Sequence, residues 1–129
     1  MDPISDMLTQ IRNALAVKKQ AALVPYSKFK ENLANLFQRQ GYISSYEVVT
    51  EKNGKLLKLV LVYDPTGQPT ISGIKRVSKP GQRIYTKVAK IPRVVFGVGA
   101  TIVSTSKGLM TDAEARKEKL GGEVICQIW

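Results

Sequence analysis

The sequence predicts an α+β fold of two small lobes, an N-terminal α/β lobe with two helices and a hairpin and a C-terminal β-rich lobe with a short helix. Two segments before residue 41 carry apolar residues at helical spacing, whereas short β-branched runs separated by turn signals fill the second half. Between them lies the breaker cluster DPTGQP, Asp64 to Pro69. We therefore assign residues 1–64 to the N-terminal lobe, 65–69 to a linker and 70–129 to the C-terminal lobe.

The first helix is predicted over the segment DPISDMLTQIRNALAVKK. Asp2 stands at the N-cap position and Pro3 at the first helical position, where a missing N–H does no harm. The polar face, which includes Thr9, Arg12 and Asn13, is either solvated or in contact with a partner. The opposite face is apolar at helical spacing and consists of Ile4, Met7, Leu8, Ile11 and Leu15.

A second helix is predicted after the apolar stretch 21–24, with Ser27 as its N-cap and Gly41 as its stop. Lys28 and Lys30 fall in its first turn, where the helix dipole disfavours cations. Because this placement does not favour folding, it gives some weight to a binding role for the two lysines. The predicted buried stripe consists of Phe29, Leu33, Leu36 and Phe37.

A hairpin is predicted over residues 42–50 and 55–63, around a tight turn that contains Asn53-Gly54. This dipeptide is favoured where a turn requires positive φ angles. The second strand, LLKLVLVY, is apolar on nearly both faces. It should therefore lie in the centre of its sheet.

The C-terminal lobe is predicted to consist of short strands over residues 70–77, 83–88, 100–104 and 123–128. A short helical turn is expected over 91–97, begun by Pro92. A helix over 111–119 is well marked, because Thr111 and Glu114 fit a capping box. Gly121-Gly122 is expected to end that helix and turn the chain.

Charge indicates a polyanionic partner. Twenty Lys and Arg face ten Asp and Glu, which gives a formal net charge of +10. Residues 1–70 carry a net charge of +3 and residues 71–129 a net charge of +7, and no acidic residue occurs between Pro65 and Thr111. Nucleic acid is the favoured partner. An anionic membrane surface is the alternative, weakened because the basic residues fall on strands and turns rather than on an amphipathic helix.

Several residue types needed for common enzymatic chemistry are missing. The chain has no histidine and a single cysteine, so we predict no catalytic residue, no metal site and no cofactor. Cys126 follows a strand pattern and is expected to be a small buried residue. Gly97-Val98-Gly99 lacks the third glycine of a dinucleotide-binding motif. No apolar run is long enough to cross a bilayer, and the acidic start predicts no signal peptide.

The segment STSKG, Ser104 to Gly108, has two interpretations. Its small hydroxyl residues either end a strand before the Thr111 cap, or they contact RNA. A hydroxyl both donates and accepts hydrogen bonds, which suits an RNA minor groove or an unpaired base. Lys107 could meet a phosphate, and Gly108 would allow a close backbone approach.

The run GATIVSTSKGLMTDAEAR, residues 99–116, resembles the signature of the bacterial small-subunit ribosomal protein number eight family. The segments DPISDMLTQIRNA, SKFK with GYI, KPGQRIYTK and GGEVICQIW are similar to that family as well, in the same order. The resemblance therefore covers nearly the whole chain. The connector 115–119 departs from the pattern, chiefly at Glu118 and Lys119.

This resemblance implies a cytoplasmic, ribosomal, non-enzymatic protein that binds the central domain of 16S ribosomal RNA at a helix with an irregular core and helps assemble the platform. It implies neighbouring small-subunit proteins as partners, possible repression of its own operon mRNA, no membrane partner and a monomeric free state. Glu123 would orient the hydroxyl segment, and the N-terminal residues would meet a second piece of rRNA. The implied RNA-binding residues are Ser104, Thr105, Ser106, Lys107, Gly108, Tyr85, Arg83, Lys87, Lys90, Glu123, Thr9, Arg12, Asn13, Lys28 and Lys30. The alternative in a different class is a free-standing RNA-binding regulator that uses the same surface.

Overall fold

The computed structural model describes residues 2–94 and 99–129. It confirms the α+β class: within these residues there are three α-helices and eight strands in two antiparallel sheets. The chain divides into two compact units, Pro3–Ile71 and Ser72–Trp129, and Asp2 belongs with the second. In the part of the chain that the structure describes, no helix combines the length and apolarity needed to span a membrane.

The N-terminal unit packs two helices on a three-stranded sheet. Strand β3 lies between β1 and β2, as its two apolar faces predict. Met7, Ile11, Leu33 and Phe37 are buried where the helices meet the sheet. The elements are α1 (Pro3–Ala16), β1 (Ala21–Pro25), α2 (Lys28–Arg39), β2 (Ile43–Glu51) and β3 (Gly54–Leu61).

The predicted helix start and hairpin turn of this unit are present, with one difference in the turn. The Ser27 side chain accepts a hydrogen bond from the Lys30 N–H, which is the predicted N-cap of α2. Glu51 pairs with Gly54, so the two residues that turn the chain are 52 and 53 rather than Asn53-Gly54. Gly54, with φ at +128°, opens the second strand. The positive φ falls on glycine because it has no Cβ to clash.

The C-terminal unit is built around strand β8, which is buried along most of its length. It pairs with β4, β5 and β6, and β7 pairs with β6. A 3-10 turn follows β5. The elements are β4 (Ile74–Arg76), β5 (Tyr85–Thr86), the 3-10 turn (Val88–Lys90), β6 (Ala100–Thr105), β7 (Gly108–Thr111), α3 (Asp112–Glu118) and β8 (Gly122–Ile128).

Several boundaries in this unit differ from the prediction. The strands expected over 70–77 and 83–88 are reduced to the short strands β4 and β5, and the helical turn lies over Val88–Lys90. Residues 91–94, the first part of the helical turn predicted over 91–97, form no helix. The remainder of that predicted turn lies outside the described residues, as do Gly97 and Val98 of the Gly97-Val98-Gly99 motif. The capping box of Thr111 and Glu114 is present, with both hydrogen bonds formed. Lys119, at φ +58°, ends α3 instead of Gly121-Gly122.

Buried polar groups hold this unit together. Arg76 donates to the Asp2 carboxylate at 3.0 Å and to the Ile125 carbonyl at 2.7 Å. The two charged side chains are 10% and 16% exposed, so water screens the pair weakly. Cys126 is fully buried nearby, and burial raises the pKa of its thiol to about 12, while the charge of Arg76 acts in the opposite direction. The thiol is therefore a neutral core group, as the strand pattern predicts.

Candidate nucleic-acid interface

The segment Ser104–Gly108, which we call the hydroxyl hairpin, is a tight β-turn rather than a loop between a strand and a helix. Thr105 pairs with Gly108, so Ser106 and Lys107 alone turn the chain from β6 into β7. Gly108 has a φ of +104°, which L side chains rarely adopt. The strand predicted over 100–104 is present and extends one residue further, to Thr105, and the chain then returns along it as β7, a strand that the sequence analysis did not predict.

The three hydroxyls of the hairpin have different roles. Thr105 Oγ1 donates to the Gly108 carbonyl at 2.8 Å and accepts from the Lys107 N–H at 3.1 Å. Its hydroxyl therefore builds the turn. Ser106 is exposed and Ser104 half-buried, and neither side chain has a hydrogen-bond partner within residues 2–94 and 99–129. These two hydroxyls keep their donor and acceptor capacity for a ligand.

Strand pairing places an aromatic ring in the same row as Ser104. Glu123 of β8 pairs with Ser104 on one side and with Tyr85 of β5 on the other. Directly paired residues in antiparallel strands point to the same face of a sheet. Tyr85 is 70% exposed, so its ring is accessible to a partner. The face therefore presents a ring and a hydroxyl on either side of one carboxylate.

The Glu123 carboxylate is fixed by two neighbours. Ser78 Oγ donates to it at 2.5 Å, and Arg83 forms an ion pair with it at 3.3 Å. Ser78 is fully buried and also accepts from the Ile84 N–H. Among the described residues no hydrogen bond joins the Glu123 side chain to the hydroxyl hairpin, so its contact with that hairpin is through strand pairing. Its orienting role stays a prediction.

Two residues that support this face were missed in the sequence. No local sequence pattern indicated a role for Ser78, because its hydrogen-bond partner Glu123 lies far along the chain. Gly122 was assigned to a helix stop, but a Cβ at this position would collide with the Ser104 carbonyl. The absence of a side chain at Gly122 lets β8 lie close to β6 at the base of the hydroxyl hairpin.

Exposed cations extend from this face along the chain. Lys87 immediately precedes the 3-10 turn and Lys90 is its last residue; both are exposed and have no ion-pair partner in the described part of the chain. Their segment is anchored, because Ile91 packs with Val103 and Ala115 in a buried cluster. The Ile91 carbonyl also accepts from Arg116 at 3.0 Å, so the backbone that carries the lysines is held in place.

Two other cations of the C-terminal unit have acidic neighbours. Arg83 is half-exposed and paired with Glu123. Lys107, at the tip of the hydroxyl hairpin, lies 3.9 Å from Glu118, with both side chains at least half exposed. The Glu118 carboxylate therefore offsets part of the positive charge at the tip of the hydroxyl hairpin.

The N-terminal residues predicted to meet RNA divide into two groups. Thr9, Arg12 and Asn13 are exposed on α1, and Lys28 is exposed with its ammonium 3.7 Å from Glu31. Lys30 is only 5% exposed, and its Nζ donates to the Pro25 carbonyl at 3.1 Å. The side chain of Lys30 is thus engaged inside the unit, which explains its presence in the first turn of α2 without a ligand.

Comparison with known proteins bears on what this surface binds. The chain matches the family described as Ribosomal protein S8 over residues 2–129. It is 48% identical over 128 residues to the small ribosomal subunit protein uS8 of Caldanaerobacter subterraneus subsp. tengcongensis, covering 99% of this chain and 97% of that one. It is 49% identical to uS8 of Thermoanaerobacter sp. strain X514 with the same coverage. For uS8 of Moorella thermoacetica the identity is 48%, over 99% of this chain and 98% of that one.

Proposed function

The chain belongs to the ribosomal protein S8 family, and from this premise we propose that it is a primary binder of the central domain of 16S ribosomal RNA that helps to assemble the platform. Its coarser role follows from the family: it is a structural protein of the small ribosomal subunit and not an enzyme. Its partners are ribosomal RNA and other ribosomal proteins of that subunit. Specific recognition of the central domain rests on the face described above.

The observation that carries the proposal is the position of two unbonded serine hydroxyls beside an exposed tyrosine. Ser104 and Ser106 can each donate and accept hydrogen bonds at base edges or 2′-OH groups. The Tyr85 ring offers a surface on which an unpaired base can stack. A helix with an irregular core presents both kinds of group, whereas a regular A-form helix hides its base edges.

The unpaired lysines supply attraction that does not depend on sequence. The contacts of Ile91 anchor the backbone that carries Lys87 and Lys90, which limits the backbone entropy lost when these lysines meet phosphates. If about five phosphates are neutralised, the logarithm of affinity should fall with the logarithm of salt concentration with a slope of about −4. The hydroxyls then select among the RNA shapes that the charge attracts.

Truncating the serines should reduce selectivity, whereas truncating a lysine should weaken all RNA binding. We expect Ser104→Ala and Ser106→Ala each to cost about 1–3 kcal/mol in binding of the central-domain site and little for random RNA. Lys87→Ala should weaken both RNAs alike and reduce the salt slope by about one. Footprinting and filter binding on 16S rRNA fragments measure these effects.

Thr105→Ser is the matched control for the hairpin, because it keeps the hydroxyl that closes the turn. It should leave binding close to that of the parent protein. Equal losses on specific and random RNA for the serine variants would refute the division of roles between hydroxyls and lysines.

The Lys107–Glu118 pair should reduce the attraction of the hairpin tip for phosphate. Glu118→Gln should strengthen RNA binding about two- to fivefold at low salt, because an exposed ion pair is worth about 0.2–1 kcal/mol. In a Lys107→Gln background the gain should shrink, and titrations of the four variants of this cycle measure it. An equal gain in both backgrounds would show that Glu118 acts through net charge alone.

We also propose that the same face binds a messenger of the protein's own operon, with the free protein as a monomer. The support is chemical. The hydroxyl hairpin and Tyr85 contact groups that any RNA with the same irregular shape would present. Such binding would compete with binding to the rRNA site, because one face serves both.

A further inference from the structure

The N-terminal unit has an open sheet edge along β1. The Gln20 carbonyl accepts from the Leu61 N–H and the Tyr26 N–H donates to the Lys55 carbonyl, so the even-numbered residues of this strand face β3. Backbone groups alternate in an antiparallel ladder. The N–H and C=O groups of Ala21 and Leu23 therefore point away from the sheet, and no backbone hydrogen bond joins them to another described residue.

A groove of about 360 Å³ runs along this edge. One wall is the end of α1, with Gln10, Asn13, Ala14 and Val17, and the other is formed by residues 19 and 21–23. Val17 is 67% exposed and Leu23 is 54% exposed, and both line the groove. Val48, the other large exposed apolar residue of this unit, is 38% exposed and does not line it.

The charge of the groove is positive. Lys19 lines it, no acidic residue lines it, and Lys19 has no ion-pair partner within the described residues. The row of free backbone groups along β1 ends at Pro25. Pro25 has no N–H, and its carbonyl is already bonded to Lys30. The open backbone is therefore confined to about three residues.

We propose that this edge is a docking site for an extended peptide segment of another small-subunit protein, which adds as a strand beside β1. Its backbone would bond to Ala21 and Leu23, an apolar side chain would cover Val17 or Leu23, and an acidic side chain would meet Lys19. Alternating N–H and C=O groups beside two apolar side chains match a peptide strand rather than a sugar-phosphate backbone. The ribosomal role enters only in naming the source of the strand.

Hydrogen exchange tests the backbone pairing directly. The protein is bound to its rRNA, and purified small-subunit proteins are then added one at a time. We expect one of them to slow exchange of the amides of Ala21 and Leu23 about tenfold or more. If rRNA alone slows exchange of these amides, RNA occupies the edge. If exchange slows in the free protein at high concentration, a second copy of the chain occupies it. If these amides exchange fully in the completed subunit, the edge stays open. Each of these three results overturns the proposal.

Variants separate docking from folding and from RNA binding. Leu23→Pro removes an outward N–H without breaking a bond to β3, and proline is tolerated at this position of an edge strand. It should weaken binding of that added protein about tenfold. Leu23→Lys places a charge at the docking edge and should weaken docking. Val48→Lys is its matched control, because it places the same charge at an exposed apolar residue outside the groove, and it should leave docking unchanged.

Two further measurements separate loss of docking from unfolding and from loss of RNA binding. Exchange at Leu57 and Leu59 of β3 reports whether the sheet is intact in each variant. Binding of the 16S site, measured separately, should be unchanged in Leu23→Pro, so loss of docking is distinguishable from failure of the RNA proposal. An intact Leu23→Pro variant that still binds the added protein with parental affinity contradicts strand addition.

Discussion

Replacing Gly122 with alanine should both destabilise the C-terminal unit and damage the RNA-binding face. The new Cβ would collide with the carbonyl of Ser104 and press on Thr105, which are backbone atoms of a paired strand and cannot rotate away. Relieving the collision must move β8 away from β6 at the base of the hydroxyl hairpin. We expect a loss of about 1–3 kcal/mol in unfolding free energy from overpacking. Affinity for the central-domain site should fall at least about tenfold, since Ser104 is displaced.

Gly81→Ala is the control, because a Cβ at Gly81 meets no atom within 4 Å and its φ is not positive. It should change neither stability nor binding by more than about 0.5 kcal/mol. Urea unfolding followed by the fluorescence of Trp129, the single tryptophan, measures stability in this unit. A folded Gly122→Ala protein with parental RNA affinity would show that the close approach of the two strands does not position Ser104.

Replacing Arg76 with alanine should give the largest loss of stability in the C-terminal unit. The change removes the guanidinium that pairs with the Asp2 carboxylate and donates to the Ile125 carbonyl. Removing one partner of a largely buried pair costs about 3–5 kcal/mol, and the partial exposure of both groups places the expected loss at about 2–4 kcal/mol. The unfolding midpoint in urea should fall without a change in slope.

Lys75→Ala on the same strand provides the comparison, because Lys75 is exposed and has no ion-pair partner among the described residues. The free energy of unfolding of Lys75→Ala should be within about 0.5 kcal/mol of that of the parent protein. An Asp2→Ala/Arg76→Ala double variant should lose less than the sum of the two single variants, since the pair is then removed together. Additive losses would indicate that the ion pair contributes no coupling energy.

The helices of the N-terminal unit and the central strand β3 could be predicted because their signals are local. Ser27 lies three residues before the Lys30 N–H that it caps, and Thr111 and Glu114 cap α3 in the same way. Apolar periodicity identified the buried faces of α1 and α2. The capping groups and apolar stripes act over one or two helical turns, so a short stretch of sequence is enough to predict these elements.

The candidate site could be predicted only in part. Composition and the STSKG motif indicated an RNA-binding lobe and pointed to the hydroxyl segment. They did not separate Thr105, which closes the turn, from Ser104 and Ser106, which stay available. They also could not show that Lys30 is buried or that Glu118 lies beside Lys107. These distinctions depend on which groups meet after the chain has folded.

The sequence by itself determined the fold class, the family and the concentration of positive charge in the C-terminal half, because residue type and local spacing are enough for all three. Only the tertiary structure decided how the site is built. Ser78 and Arg83 hold Glu123 across about 40 residues, and Gly122 makes room for Ser104. Such contacts arise from strand pairing between distant segments, and pairing depends on the packing of the whole sheet rather than on any one motif.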